Sequence, residues 1–158
     1  MLVLAEIASF ALDPDRNTPV IILKESGGER TLAVPIGPLE ASAIAIESLE
    51  VVPEKPMTID LVALIMEKLG AKLSRVVIYD LLERSLMARI QIDSGSGILL
   101  VDCRPCDAIA LALRCSVDIL VEEQVLDRVS GGTRSIKEQL KQRIRSIDTV
   151  EFGKYILE

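Results

Sequence analysis

The sequence predicts an α+β fold: two related strand–hairpin–helix units packed as one domain on a mixed β-sheet, with a C-terminal amphipathic helix added. Three observations carry this. Short β-branched and aliphatic runs alternate with Gly, Pro and Asp turn signals at strand spacing. Two Ala-rich stretches each open on a proline followed two residues later by an acid, Pro38-Leu39-Glu40 and Pro105-Cys106-Asp107. An offset of 67 residues lays the run from Pro38 to Ile46 on the run from Pro105 to Leu113, and the same offset pairs Asp13 with Asp80 and Gly28 with Gly95. Ala-rich helices resemble one another by chance, but here the helix match coincides with matched hairpins, which favours one unit used twice.

The elements follow in order. Residues 2–12 read as a strand ended by the turn Asp13-Pro14-Asp15-Arg16-Asn17. Val20 to Lys24 is a second short strand, Ser26-Gly27-Gly28 reverses the chain, and Arg30 to Ile36 returns. Gly37-Pro38 opens a helix to about Leu49, with proline where a helix start tolerates it. The stretch from Val52 to Pro56 is a connector. Thr58 is expected to cap a helix whose apolar face is Ile59, Val62, Met66 and Leu69, stopped at Gly70. The second pass gives a strand over Leu73 to Leu81, a hairpin of Leu86 to Asp93 and Ile98 to Cys103, and a helix from Arg104-Pro105 to about Cys115. In this reading Cys103 ends a buried strand. A short strand over Asp118 to Val121 and a helix over Glu122 to Val129 come next. Residues 133–147 read as a last helix with Ile136, Leu140, Ile144 and Ile147 on one face. The expected organisation is a domain over residues 1–130, with its repeat at about 2–50 and 73–115, and a helix and tail over 131–158.

Composition narrows the function classes. The chain has 158 residues, is 49% hydrophobic and only 3% aromatic, and has no tryptophan, so its core is aliphatic. No apolar run approaches the roughly 18 residues that span a bilayer. The N-terminus lacks a basic region and Glu6 interrupts its apolar stretch, unlike a signal peptide. Three cysteines are no disulfide framework, so the expected setting is cytoplasmic. A net charge of −6 disfavours tight nonspecific binding to nucleic acid. The absence of histidine removes the Ser-His-Asp triad, the Cys-His pair and His-ligated zinc.

The densest group of reactive residues is Asp102-Cys103-Arg104-Pro105-Cys106-Asp107, at a strand-to-helix junction. Asp102 and Asp107 flank Arg104. Two carboxylates suit Mg²⁺ or Mn²⁺, and Arg104 suits a phosphate oxygen. The competing reading is structural: an acid in a helix's first turn complements the dipole, and Arg104 pairs with a neighbouring aspartate. The first unit keeps Glu40 but has Pro35 and Gly37 where the second has Asp102 and Arg104, so a site centres on the second unit. Cys103 and Cys106 have the spacing of a thioredoxin-type redox pair, without the preceding tryptophan or the strand order. Asp60 is a secondary candidate, with helix capping as its plainer role. Arg134, Lys137, Lys141, Arg143 and Arg145 form a basic face, read as a phosphate-tracking strip, a partner-docking helix or solvated surface.

The stretches from Val34 to Ala41 and from Val101 to Arg114 resemble the bifunctional nuclease (BFN) domain family, whose second motif reads Asp-Ala-Arg-Pro-Ser-Asp-Ala-Ile-Ala-Leu-Ala. Cys103 and Cys106 replace its small Ala and Ser, which favours packing over redox chemistry. Thr58 with Asp60, Glu122 to Leu126 and the tail from Asp148 to Gly153 extend the likeness. The resemblance implies a nuclease acting on DNA or RNA. Asp102 and Asp107, with Glu40, would hold a divalent cation (Mg²⁺ or Mn²⁺) or orient water, Arg104 would stabilise phosphate charge, and Arg134, Lys137, Lys141 and Arg145 would contact the backbone. A binding module without catalysis is the alternative. Aliphatic content beyond the needs of a small monomer suggests a homodimer under either reading, with nucleic acid as a partner and no membrane.

Overall fold

A computed structural model describes residues 1–131 and 145–154. Eight strands and five helices lie among them: β1 (Leu2–Asp13), β2 (Thr18–Glu25), β3 (Thr31–Pro35), α1 (Pro38–Ser48), α2 (Thr58–Lys68), β4 (Lys72–Leu82), β5 (Ser85–Asp93), β6 (Ile98–Cys103), α3 (Pro105–Cys115), β7 (Ile119–Glu122), α4 (Glu123–Gly131), β8 (Arg145–Ile147) and α5 (Thr149–Lys154). The class is α+β on one mixed sheet.

The sheet order is β3-β2-β1-β7-β4-β5-β6, with β8 also paired to β1. β1-β2-β3 and β4-β5-β6 are antiparallel meanders, each followed by a helix. β7 joins them: it runs antiparallel to Leu2–Ala5 of β1 and parallel to Val76–Ile78 of β4. The far end of β1, from Phe10 to Leu12, pairs with β8. An offset of 67 residues carries Pro38–Ser48 of α1 onto Pro105–Cys115 of α3, and β3 onto the first five residues of β6.

α3 is the central helix. Cys106, Ala108, Ile109, Ala110, Leu111 and Ala112 are all buried, so it is enclosed on nearly every side, against α1, α2, β3, β4 and β5. Alanine at alternate positions lets these neighbours approach its backbone closely. Inward-facing Val76, Ile78, Ala88 and Ile90 of β4 and β5 form the floor beneath it. α4 contacts β3, β4 and β7, burying Val125 and Leu126. α5 packs on α1 and β1, where Phe152 meets Phe10 at 4.7 Å between ring centroids.

Four expectations change. Thr58 is the first helical residue of α2, and capping falls instead to Asp60, which accepts the Met57 N–H at 2.9 Å. The α2 face expected inside is only partly so: Met66 is buried, while Val62 and Leu69 are exposed. β6 is an edge strand, exposed over Ile98–Asp102, rather than a buried one. Residues 145–147 form β8, so the helix expected over 133–147 does not reach its stated end; residues 132–144 of that stretch lie outside the described residues. The sequence periodicity there reported apolar spacing, and pairing with β1 decided the conformation of its last three residues.

Candidate functional site: an arginine held between two helix starts

α1 and α3 begin alike. The residue before a proline is confined to extended backbone. Gly37 (φ −67°, ψ 155°) and Arg104 (φ −69°, ψ 145°) adopt nearly the same conformation and serve as N-caps. Neither helix has a side-chain cap hydrogen bond. The acids of their first turns, Glu40 and Asp107, turn to Arg104 instead. Its Nε donates to Asp107 Oδ2 at 2.7 Å, and its Nη2 donates to Asp107 Oδ1 at 2.9 Å and to Glu40 Oε1 at 2.6 Å. Forked contact of this kind fixes the plane of a guanidinium as well as its position. Glu40's carboxylate fills the space that a Cβ at Gly37 would take. The glycine therefore makes room for the reach to Arg104.

Both carboxylates hold Arg104 firmly protonated. Ligand atoms of Glu40, Cys106 and Asp107 lie within 4.8 Å of one another. Glu40 is the most sheltered of the charged trio, and the guanidinium is mostly exposed. Beside them is a cleft of about 300 Å³. Leu39, Ala43, Met57 and Ile59 give it an apolar wall, and Glu40, Arg104 and Asp107 give it a polar one. The first turn of α2 closes it.

Asp102 stands elsewhere. It pairs in register with Arg89, on the face of β5 opposite the buried Ala88 and Ile90. Its carboxylate is 3.8 Å from Arg89 Nε, and Arg89 stacks on Tyr79 at 3.7 Å from the ring centroid. The carboxylate that joins Asp107 is thus Glu40, from the other unit. Arg145 lies in β8 and pairs with Glu151 at 2.5 Å. Arg134, Lys137 and Lys141 lie outside the described residues.

A second clamp, unassigned in the sequence, ties the other ends of the helices. Arg114 Nε donates to Asp60 Oδ1 at 2.6 Å and lies 3.7 Å from Glu47 Oε1. Burial pushes the Asp60 carboxyl up, but the Met57 N–H and Arg114 outweigh it and hold Asp60 below the usual aspartate range. Glu47 goes the other way: burial and the nearby Asp60 outweigh Arg114, and its pKa is raised. The repeat contained the signal for both clamps, since the 67-residue offset carries Glu40 onto Asp107 and Glu47 onto Arg114. Each helix pair meets at its own counterpart positions.

The thiols are quiet. Burial, with help from Asp107 and Asp102, pushes Cys103 up to about 11. Burial likewise raises Cys106 and Cys115. A redox cysteine needs the opposite shift.

A mixed sheet packed on a buried helix, with an arginine–dicarboxylate clamp at the helix start, defines an α+β domain carrying a cleft with one polar and one apolar wall. The model of the bifunctional nuclease domain matches residues 21–132, more than half of the chain, and the chain belongs to that family. Two relatives are similar to it, each 39% identical over 120 residues that cover 76% of this chain and 71% of theirs. They are "Uncharacterized protein MT1877" of Mycobacterium tuberculosis (strain CDC 1551 / Oshkosh) and "Uncharacterized protein Rv1829" of Mycobacterium tuberculosis (strain ATCC 25618 / H37Rv). No helix among the described residues is long and apolar enough to cross a membrane.

Proposed function

We propose that the chain hydrolyses phosphodiester bonds of DNA or RNA at the Glu40–Arg104–Asp107 cleft. Membership of the bifunctional nuclease domain family motivates the reaction class. The observation that carries the site is the exposed Arg104 guanidinium, held by two carboxylates at the mouth of the cleft. A planar guanidinium held in this way is suited to a phosphate oxygen, and the two adjoining helix N-termini add positive potential toward an anion.

A divalent cation fits this donor set. Mg²⁺ takes one or two carboxylates and keeps several waters, which Glu40 and Asp107 satisfy; Mn²⁺ accepts the same oxygens. The raised pKa of Cys106 leaves a neutral thiol, a poor ligand for either ion. A bound cation would supply Lewis-acid polarisation of phosphate and a more acidic water. The chain's own part is distinct. Glu40 and Asp107 hold the cation or orient water, Arg104 neutralises charge on the phosphate, and the apolar wall excludes bulk water. Arg134, Lys137, Lys141 and Arg145 would contact the nucleic-acid backbone, and Asp60 positions the start of α2 beside the cleft.

The test is hydrolysis of single- and double-stranded DNA and RNA by the pure chain in Mg²⁺, Mn²⁺ or EDTA, beside Glu40→Gln/Asp107→Asn and Asp102→Asn prepared identically. Metal-dependent cutting lost in the double variant and kept in Asp102→Asn is the expected result. Equal cutting by all three, or none by any, favours the second reading, a non-catalytic oligomeric module. That reading draws on the bare aliphatic edge of β6.

A further inference from the structure

β6 is an edge of the sheet with no strand beyond it among the described residues, and its residues Ile98, Leu99, Leu100 and Val101 are 64%, 52%, 56% and 45% exposed. Soluble proteins protect such edges with charge, proline, a bulge or a covering element. Among the described residues this edge has none of these over the four positions. They carry no charge or proline, the β5–β6 register runs without a shift, and β6 packs chiefly on β5. The bulges of the sheet lie instead in the β1–β2 and β4–β5 pairs.

A second apolar surface lies at the same end of the sheet. α2 exposes Leu61, Val62, Ile65 and Leu69. Leu73, five residues after α2 ends at Lys68, pairs with Ile92, which pairs with Leu99. With the β6 residues this makes eight aliphatic side chains, each between 36% and 78% exposed. Leu99 and Val101 share a face of the sheet with buried Leu73 and Ile90, and Ile98 and Leu100 lie on the other, so the edge is apolar on both sides. The eight side chains expose at most on the order of 800 Å², the share that each partner contributes to a standard interface.

We propose that this surface is covered by a second copy of the chain, with β6 pairing antiparallel to the other copy's β6 about a two-fold axis. The strand is suited to itself. When a strand pairs with its own copy in a continuous sheet, partners must share a face, so the axis passes through a residue. Centred on Leu100, the pairing sets Leu99 beside the other copy's Val101 twice, and Ile98 beside its Asp102 twice. Centred on Leu99, it sets Ile98 beside the other copy's Leu100 twice. In both registers aliphatic side chains meet and each copy supplies the backbone groups the other lacks. The chain's net charge of −6 repels a second copy elsewhere, and the contact centres on four uncharged residues, with Asp102 next to them as the strand's one charge. This inference is independent of hydrolysis at the cleft.

The test is sedimentation of the full chain over a wide concentration range. The expected mass is twice 17.3 kDa, falling to 17.3 kDa in Leu100→Lys and Val101→Lys. Val52→Lys, in the exposed connector, should leave the dimer intact, and circular dichroism should show all variants folded. Adding salt should strengthen association by screening the repulsion between copies. In addition, Leu99→Cys and Leu100→Cys are oxidised separately and compared with the unmodified chain. The residue on the axis should form an intermolecular disulfide, since paired Cα atoms there lie within bridging distance. A wild-type mass of 17.3 kDa throughout, a dimer untouched by both lysines, or no added crosslink from either cysteine overturns the proposal.

Discussion

Leu32 and Val34 of β3 occupy the same places in the first unit that Leu99 and Val101 of β6 occupy in the second. The residue types are identical, yet Leu32 is 1% exposed and Leu99 is 52%. The difference lies in what each edge meets. α3 and α4 contact β3, and Arg30 at its start donates to Asp127 of α4 at 2.6 Å and to Glu25 of β2 at 2.8 Å. Among the described residues β6 has no such cover. Equal local sequence therefore led to unequal burial, because α4 lies against β3 and β4, and among the described residues β6 packs chiefly on β5.

The largest expected effect separates these edges directly. Leu32→Ala should cost about 2–5 kcal/mol in urea denaturation, as buried leucine truncations do. Leu99→Ala, measured on the monomeric Leu100→Lys background, should cost less than about 1 kcal/mol. Similar costs would mean that β6 is buried within one chain.

The two clamps between α1 and α3 differ in a related way, since the one at Arg114 is more sheltered than the one at Arg104. Arg114→Met leaves Asp60 and Glu47 facing each other without a cation, and should cost about 1–3 kcal/mol. Arg104→Met should cost no more than about 1 kcal/mol, because its contacts are solvent-exposed. A reversed order would show that the α1–α3 contact depends mainly on its N-terminal end.

The pH dependence of stability sharpens the same contrast. Asp60 has a depressed pKa, so its contribution is present above the unfolded value of about 3.9 and fades as pH falls through the folded value. Glu47 has a raised pKa, so its contribution is present below the unfolded value of about 4.3 and is lost as pH rises through the folded value. Glu47→Gln should remove that second slope and leave stability at pH 7 unchanged or slightly higher. A marked loss at pH 7 would mean that the ionised Glu47–Arg114 contact dominates. The smallest effect concerns Cys103, whose alkylation should remain slow at pH 8 and accelerate only toward pH 11. Fast reaction at pH 7 would place the thiol outside the core.

Much of the fold was legible because its punctuation is local. Gly37-Pro38 and Arg104-Pro105 fix both helix starts, and the turns after Asp13 and Asp93 fix strand ends. Arg104 with Asp107 was legible for the same reason, being three residues apart. Glu40 was singled out in the sequence, but its meeting with Arg104 spans 64 residues, and Asp60 with Arg114 spans 54. Such contacts depend on which helices share a groove, which periodicity does not contain. The α2 face and β6 misled in another way: hydrophobic spacing identifies a surface that avoids water, without saying whether its cover lies in the same chain.

The four residues of β7 carry a consequence for the order of events during synthesis. Each meander can form from neighbouring segments, but the seam between β1 and β4 closes only when Ile119–Glu122 arrives, more than a hundred residues after β1 begins. Until then both strands offer open edges, and the loop that must close is long. A nascent chain stalled before residue 119 would therefore present two unsealed half-sheets, the state most prone to pairing with the wrong neighbour.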